Sequence, residues 1–215
     1  GYNNGGVIYN CGADVVITAP NSTVGGLVGY NQNATVKNSY ASNDDEDSVI
    51  AGNVVGGLVG YVYNDNSNVR SLISNCYSLS KIAGGSKTGG LIGQANVYAG
   101  RGYIQVEYSY AKGVITKGSS AGGLIGTLNN QEKIPVRYCY YNTINTGNKI
   151  GFGMSLLNFT KQESFYDWNF DTVWAMDPNI NNGYPYIKLI SDEVPVIEGE
   201  GTKEKPYIVT NEKQL

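Results

Sequence analysis

The sequence of 215 residues contains no histidine. Within these residues, that absence excludes a Ser-His-Asp triad, a Cys-His pair, histidine-ligated zinc and acid–base catalysis by imidazole. An enzyme built from this sequence would have to work with carboxylates, tyrosine, lysine or arginine. The composition alone therefore limits the catalytic side chains that this chain could use.

Charge and long apolar runs are also scarce. Charged residues make up 15% of the sequence, against about a quarter in an average soluble domain, and the net charge is −3. Because there is no basic stripe, nucleic acid and anionic membrane surfaces are not the expected partners. No apolar run reaches the ~18 residues that indicate a membrane-spanning helix, so no membrane insertion is expected. Glycine (29) and tyrosine (18) are abundant instead.

A glycine motif recurs four times at nearly constant spacing. It reads GGLVG at 25–29 and 56–60, and GGLIG at 89–93 and 122–126, so successive copies begin 31, 33 and 33 residues apart. Self-similarity at such a period is typical of repeat architectures and is the strongest fold signal in the sequence. The residues of the motif are Gly25, Gly26, Leu27, Gly29, Gly56, Gly57, Leu58, Gly60, Gly89, Gly90, Leu91, Gly93, Gly122, Gly123, Leu124 and Gly126.

Two further elements recur between the glycine motifs. One ends in Asn or Tyr, then Cys or Ser, then Tyr, as in NSY at 38–40, and the other is a short aliphatic stretch such as VVIT at 15–18. Short Val-, Ile- and Tyr-rich pieces separated by Gly and Asn are typical of strands and turns and oppose helices. Equivalent residues recurring once per unit predict an all-β fold, a parallel β-solenoid whose coils stack. Right-handed coiling is expected from the chirality of parallel crossovers.

The alignment of the units predicts five ladders of stacked side chains. They are Leu27, Leu58, Leu91 and Leu124; Val28, Val59, Ile92 and Ile125; Ile8, Val36, Ile73, Val106 and Val136; Tyr40, Tyr77, Tyr110 and Tyr140; and Ile17, Ile50, Ile82 and Ile115. The tyrosine ladder could point into the coil or pack outside it. Asn10, Asn38 and Asn75 also align and are expected to satisfy one another's amides.

The three cysteines occupy one slot of the repeat. Cys11, Cys76 and Cys139 alternate there with Ser39 and Ser109. In a stack of coils the nearest cysteine would lie two layers away, about 9.6 Å, beyond the ~7 Å Cα separation that a disulfide allows. No disulfide is expected, and the slot is predicted to require a small side chain.

The repeat glycines are expected at a sharp corner of each coil. Glycine reaches backbone angles that other residues adopt only at a cost, and its missing side chain lets neighbouring coils approach closely. The alternative, a phosphate-binding glycine loop, requires a following Lys-Ser/Thr and the start of a helix. Neither follows any copy of the motif.

The GGLVG…NSY unit, over roughly residues 7–150, resembles the GLUG repeat, which is named for its Gly-Leu-any-Gly core. That repeat is found in large bacterial surface proteins, in adhesin-like proteins and around secreted IgA-cleaving metallopeptidases. The resemblance implies an extracellular protein, secreted or anchored at the cell surface, with a β-helical stalk or binding surface. A peptidase of that kind would need an HExxH helix, which these residues cannot supply because they contain no histidine.

The composition changes after the repeats, which gives three predicted regions. Residues 1–153 are expected to form the solenoid, in an array already under way at its first residue, 154–190 a C-terminal cap, and 191–215 a linker and the start of a further segment. Residues 154–164 are predicted as a short helix with Ser155 as its N-cap. Because a solenoid end exposes an unpaired edge, the aromatic residues of the cap are expected to cover the last coil. They are Phe165, Trp168, Phe170 and Trp174.

An acidic run at 44–47 coincides with a four-residue insertion in one coil. Its carboxylates, from Asp44, Asp45 and Asp47, are candidate ligands of Ca²⁺, which prefers oxygen donors. A solvated loop is the favoured interpretation, and no other metal or cofactor is expected.

Binding rather than catalysis is the predicted function. Trp168, Trp174, Tyr77 and Tyr110 are the candidate ligand-binding residues, because aromatic side chains offer a flat apolar body to sugars and proteins; capping is the favoured role of the two tryptophans. The chain is therefore predicted to be a non-enzymatic adhesin stalk or a surface that binds a carbohydrate or a host surface protein, continuous with neighbouring repeats of its parent chain. Two alternatives stay open: a carbohydrate-active β-helix enzyme, which needs two close carboxylates, and a substrate-positioning segment of a secreted peptidase.

Overall fold

Strands of the repeat units pair in parallel with their equivalents one unit away, as in Val28 with Val59 and Val59 with Ile92. The resulting fold, in a computed structural model that describes residues 1–43, 50–98, 101–145 and 147–188, is an all-β solenoid of about four turns. This confirms the predicted parallel β-solenoid. The calcium candidates Asp44, Asp45 and Asp47, and the segment predicted at 191–215, lie outside the described residues.

Each complete coil passes through four sheets, named A to D in chain order. Sheet A contains β1 (Tyr2–Asn4), β5 (Val28–Gln32), β9 (Val59–Asn64), β13 (Ile92–Val97) and β18 (Ile125–Leu128). Sheet B contains β2 (Val7–Tyr9), β6 (Thr35–Lys37), β10 (Arg70–Ser74), β14 (Tyr103–Glu107) and β19 (Val136–Arg137). Sheet C contains β3 (Gly12–Asp14), β7 (Tyr40–Ser42), β11 (Tyr77–Ser78), β15 (Tyr110–Ala111), β20 (Tyr140–Asn142) and β21 (Phe152–Met154). Sheet D contains β4 (Ile17–Gly25), β8 (Ile50–Gly56), β12 (Ile82–Gly89), β16 (Ile115–Lys117) and β17 (Ala121–Gly122).

Strand register confirms four of the predicted ladders, and backbone hydrogen bonds between successive leucines confirm the fifth. The aliphatic ladder that begins at Val28 runs through sheet A, the one that begins at Ile8 through sheet B, the tyrosine ladder through sheet C, and the one that begins at Ile17 through sheet D. The leucine ladder lies at the corner before sheet A, where Leu58 donates a backbone hydrogen bond to Leu91 at 3.0 Å. The handedness of the coil stays a prediction.

The main core fills the inside of the coils. Side chains that alternate inward along sheets A, B and C meet there, and Leu58, Ile73, Ile92 and Leu124 are fully buried in it. On sheet C the inward residues are Ala41 and Ala111, while the neighbouring ladder tyrosines belong to a separate cluster. Since successive side chains of a strand point to opposite faces, the tyrosine ladder points outward.

The corner between sheets B and C is made by the aligned asparagines. Asn10, Asn38 and Asn75 have φ of 52°, 48° and 51°, and Tyr108 and Tyr138 take the same left-handed conformation in the next two coils. Asparagine tolerates this region better than most residues, which explains why it recurs there. The expected amide contact forms between two of the three asparagines, since Asn75 Nδ2 donates to Asn38 Oδ1 at 3.1 Å. It does not extend to Asn10, because Asn38 Nδ2 donates to the hydroxyl of Tyr9 at 3.4 Å and Asn10 Oδ1 is buried without a partner among the described residues.

The repeat glycines act by close approach and not by unusual backbone angles. None of them is among the described glycines with positive φ, so that part of the prediction is wrong. A Cβ on Gly26 would lie less than 3 Å from the backbone oxygen of Gly57, and one on Gly57 equally close to the oxygen of Gly90. The left-handed turn of each coil falls instead on the asparagine corner, and the glycines allow the coils to stack.

The end of the solenoid is closed by the chain itself. After β20, Asn148 pairs with Gly122 beside sheet D, Ile150 packs against the main core, and β21 then joins sheet C. The predicted helix over 154–164 with Ser155 as its N-cap is wrong: β21 extends to Met154, and 3₁₀ turns follow at Asn158–Thr160 and Gln162–Ser164. β21 takes only the first residue of the predicted helix, and the residues that follow form short turns that bury Phe159 in the aromatic cluster beside sheet C.

The aromatic residues of the C-terminal region cover the outer side of several coils, and not the last coil alone as predicted. Residues 155–188, here called the flanking segment, run back along the outer face of sheet C and include the antiparallel pair β22 (Trp174–Ala175) and β23 (Tyr186–Ile187) and a turn at Asn181–Gly183. Phe165, Trp168 and Trp174 contact ladder tyrosines of several coils. The physical reason is that an outward row of tyrosines is an apolar face that gains stability from burial.

Candidate functional site

The four aromatic residues predicted to bind ligands are all buried where the flanking segment meets sheet C. The exposed fractions of Trp174, Tyr110, Tyr77 and Trp168 are 0%, 0%, 5% and 7%. Trp168 and Trp174 stack on each other with ring centroids 4.3 Å apart, and each lies 6.1 Å from the ring of Tyr110. Their observed role is to attach the flanking segment to the solenoid.

Hydrogen bonds also hold the flanking segment on the solenoid. The hydroxyl of Tyr110 donates to the backbone oxygen of Pro185 at 2.6 Å, and the indole N–H of Trp168 donates to the oxygen of Tyr138 at 2.9 Å. The backbone N–H of Tyr166 donates to the hydroxyl of Tyr140 at 3.0 Å. Burial raises the pKa of Tyr110 well above its usual value, so its hydroxyl keeps the proton that it donates.

The cysteine slot lies one residue after the asparagine corner. All three cysteines are free thiols, Cys11 exposed and Cys76 and Cys139 buried. The backbone N–H of Cys76 donates to Ser109 Oγ at 3.0 Å, and Ser109 Oγ donates in turn to the oxygen of Glu107. Burial raises the pKa of Cys76 to about 12 and raises that of Cys139 further, so neither thiol is a nucleophile near neutral pH.

The carboxylates of the described residues do not gather into a site. No group of three or more cysteine, aspartate or glutamate side chains there could hold a metal ion. Glu107 hydrogen-bonds to Gln105 and Ser74 on sheet B, whereas Asp167 lies in the flanking segment near Tyr108. The candidates for Ca²⁺ at 44–47 are not part of this comparison, because they lie outside the described residues.

A second group of tyrosines lies on the outer face of sheet A, where the flanking segment does not reach. Tyr2, Tyr30 and Tyr61 are in register on β1, β5 and β9, and Tyr63 lies two residues further along β9. The ring centroids of Tyr2 and Tyr30 are 5.1 Å apart, those of Tyr30 and Tyr61 4.8 Å, and those of Tyr61 and Tyr63 5.9 Å. We call these four residues the tyrosine stripe.

Amide side chains hold the tyrosine stripe in place. Asn96 donates to the hydroxyl of Tyr61 at 3.1 Å, and the hydroxyl of Tyr2 donates to Gln32. Gln32 and Asn33 both donate to the carboxylate of Asp65, at 3.2 and 2.8 Å. The rings are thus part of a network that reaches across three coils, and little conformational freedom would be lost when a ligand binds.

Burial keeps the hydroxyls of Tyr30 and Tyr61 protonated, because it raises the pKa of both groups. Partial burial, with smaller contributions from Tyr61 and Tyr2, raises the pKa of Tyr30 to about 12. Burial also raises the pKa of Tyr61, partly offset by the hydrogen bond from Asn96. Tyr30 and Tyr61 therefore present neutral hydroxyls beside aromatic rings and amides, a combination that suits neutral polar ligands with apolar faces.

Sequence analysis did not single out the tyrosine stripe, although a signal was present. Tyr30 and Tyr61 directly follow the glycine motif in two units, but Gln94 and Thr127 take the same position in the next two. A search for residues that recur in every unit discards such a position. The tyrosine stripe could have been identified by looking for outer-face positions that vary within an otherwise regular ladder.

Comparison with known families supports the repeat assignment. Residues 20–45 and 51–83 match the family model of the GLUG motif, each match including a glycine corner and the strands beside it. The chain therefore carries GLUG repeats, as its sequence resemblance indicated. Searches of curated proteins and of solved structures found no match. Among the described residues, no helix is long and apolar enough to cross a membrane.

Proposed function

We propose that these residues form a rigid, non-enzymatic segment of an extracellular protein, which holds the tyrosine stripe toward a carbohydrate or a host surface protein. The parallel ladders supply the rigidity, because every strand of a middle coil is hydrogen-bonded on both edges. The tyrosine stripe carries the proposal, since it is an outward group of rings and amides that the described residues leave at least partly exposed.

Two features support a recognition surface over a purely structural face. Outward tyrosines are enriched in binding surfaces because a large rigid ring with a polar tip contributes contact area at low entropic cost. The other outward tyrosine row, on sheet C, is covered by the flanking segment, which supports the idea that exposed tyrosine rows on this solenoid have a partner. GLUG-containing surface proteins support the extracellular placement by resemblance.

The test is a screen of the purified protein on a glycan array and against host surface proteins, each with and without Ca²⁺. We expect binding that falls at least about 10-fold in Tyr30→Ala and Tyr61→Ala, as for central residues of an interface. Tyr9→Ala is the matched control, because Tyr9 is 46% exposed but lies on sheet B. Binding that both stripe variants leave unchanged would refute the role of this surface, and binding only with Ca²⁺ would direct attention to the acidic run at 44–47.

A further inference from the structure

A cleft lies between sheet C and the flanking segment, on a different side of the solenoid from the tyrosine stripe. Its volume is about 550 Å³, within the ~300–1,000 Å³ that small-molecule sites occupy. Tyr40, Ser42 and Tyr77 of the solenoid line one wall, and Asn179, Asn182 and Tyr186 of the flanking segment line the other. We call this space the side cleft.

The solenoid wall of the side cleft is aromatic. The rings of Tyr40 and Tyr77 stack with centroids 4.9 Å apart and planes within 5° of parallel. Gly12 takes the position of a tyrosine in the coil below, and a Cβ there would collide with the ring of Tyr40. The glycine therefore gives Tyr40 room to lie flat at the end of its ladder. Tyr77 has both ring faces covered, by Tyr40 and by Tyr110, so the surface that can accommodate the C–H face of a sugar ring is the face of Tyr40 turned away from Tyr77.

The rim of the side cleft is polar and uncharged. The side-chain amides of Asn179 and Asn182 and the hydroxyl of Ser42 have no hydrogen-bond partner among the described residues, although each belongs to the lining. The hydroxyls of Tyr40 and Tyr186 likewise have no hydrogen-bond partner among the described residues. The lining side chains that the structure describes are all neutral, so the cleft matches a neutral ligand with several hydroxyls better than an ionic one.

The flanking wall is held in one conformation before any ligand arrives. Asn181, Asn182 and Gly183 have φ of 53°, 54° and 76°, which fixes a tight turn. The side-chain amide of Asn181 anchors this turn by donating to the hydroxyl of Tyr110 at 3.2 Å and to the oxygen of Pro185 at 3.0 Å. Asn182, next in the chain, is exposed and lines the cleft.

We propose that the side cleft binds a neutral saccharide of one or two rings. The aromatic wall takes the apolar face of the sugar, and Asn179, Asn182 and Ser42 hydrogen-bond to its hydroxyls. The assignment is independent of the tyrosine stripe, because the two surfaces share no residue. It gives the flanking segment a second role besides covering the tyrosine ladder, that of forming half of a binding site.

The experiment is isothermal titration of the full chain with a panel of neutral monosaccharides and disaccharides, compared with charged sugars and short neutral peptides. At least one neutral sugar should bind, and Asn179→Ala combined with Asn182→Gly should weaken it at least 10-fold. Glycine at 182 keeps the left-handed backbone while removing the amide. Ser42→Ala is a second variant with an independent, smaller loss, and unchanged melting temperatures show that the fold is intact.

Tyr61→Ala separates this site from the tyrosine stripe. Sugar binding that survives Tyr61→Ala and falls in the side-cleft variants supports the inference. Sugar binding lost in Tyr61→Ala and kept in the side-cleft variants overturns it while supporting the stripe. Failure of every neutral sugar to bind, or tighter binding of charged sugars or peptides, also overturns it and leaves the proposed function to its own test.

Discussion

The hydroxyl of Tyr110 donates a hydrogen bond to the backbone oxygen of Pro185, at 2.6 Å and across 75 residues of sequence. The same hydroxyl accepts a hydrogen bond from Asn181. A fully buried ring on the outer face of sheet C therefore holds both ends of one turn in the flanking segment. The contact connects the repeat array to the side cleft. A substitution of Tyr110 should therefore destabilise the flanking segment more than the coils.

Tyr110→Phe is expected to lower the free energy of unfolding by about 1–2 kcal/mol, because it deletes a buried hydrogen bond while keeping the ring. The oxygen of Pro185 keeps its second donor, Asn181 at 3.0 Å, which limits the cost. Urea denaturation of both proteins measures the difference. Tyr98→Phe, at a side chain that is 57% exposed, is the control and should change nothing. Equal stability of the Tyr110 variant would show that the hydrogen bond is not formed in solution.

Trp174→Ala is expected to be costlier, by about 3–5 kcal/mol, because it empties the centre of the aromatic cluster. Trp174 is fully buried and contacts Tyr77, Tyr110 and Trp168. The loss should appear as rapid proteolysis within 155–188, followed by mass spectrometry, while the solenoid stays resistant. A solenoid cleaved as fast as the flanking segment would contradict the proposed order of stability.

Trp174→Phe is the matched variant for this measurement. The indole N–H of Trp174 is buried and has no partner among the described residues, and an unpaired buried donor is unfavourable. Phenylalanine fills most of the space and removes that donor. Its cost should therefore be much smaller than that of alanine, and proteolysis should stay close to that of the unchanged protein.

The repeat predicts the register of this fold almost directly, because the spacing of the glycine motif is the spacing of the coils. Val28 and Val59 pair because they are equivalent in sequence, and no long-range information is needed. The direction of the tyrosine ladder is different. The ladder tyrosines, such as Tyr77, recur at the same interval whether their side chains point inward or outward. Their direction becomes clear only from the structure, where the neighbouring Ala41 and Ala111 of sheet C point into the main core.

The sequence predicts a separate C-terminal cap at 154–190, but it does not predict the path of the flanking segment or the tyrosine stripe, for separate physical reasons. The path of residues 155–188 depends on contacts such as Tyr110 with Pro185, which join parts of the chain that share no repeat. The stripe depends on outer-face residues that vary from coil to coil, as from Tyr61 to Gln94. The repeat period identifies the residues that all coils share, whereas the proposed recognition surface consists of residues that differ between coils.

Substitutions in the glycine motif can test whether glycine is needed there for close packing of the coils or for its backbone conformation. Gly57→Ala should destabilise the protein by about 2–3 kcal/mol or more, because its Cβ would lie within 3 Å of the oxygen of Gly90 and of Ser78. Gly29→Ala, in the same motif one coil earlier, is the control, since its closest neighbour would be 3.1 Å away. Thermal unfolding of the two variants measures the difference. Equal losses would mean that the motif is needed for another reason.

The buried thiols predict a difference in reactivity between native and unfolded protein. Burial raises the pKa of Cys76 from 9.0 to about 12 and raises the pKa of Cys139 as well, whereas Cys11 is exposed. Ellman's reagent at about pH 8 should therefore titrate Cys11 rapidly in the native protein and all three thiols after denaturation. In Cys11→Ser the native protein should show no rapid reaction.

The same pKa values predict that stability falls at alkaline pH. The unfolded thiol ionises above its usual pKa of 9.0, while the folded thiol of Cys76 stays protonated until about 12, so the unfolded chain binds fewer protons in that interval. The stabilisation is complete below pH 9.0 and is lost progressively as the pH rises toward 12. Urea midpoints measured across this interval should fall, and Cys76→Ser should make the fall less steep, because serine does not ionise there. An equally steep fall in that variant would assign the effect to the tyrosines, among which Tyr110 has its pKa raised in the same direction.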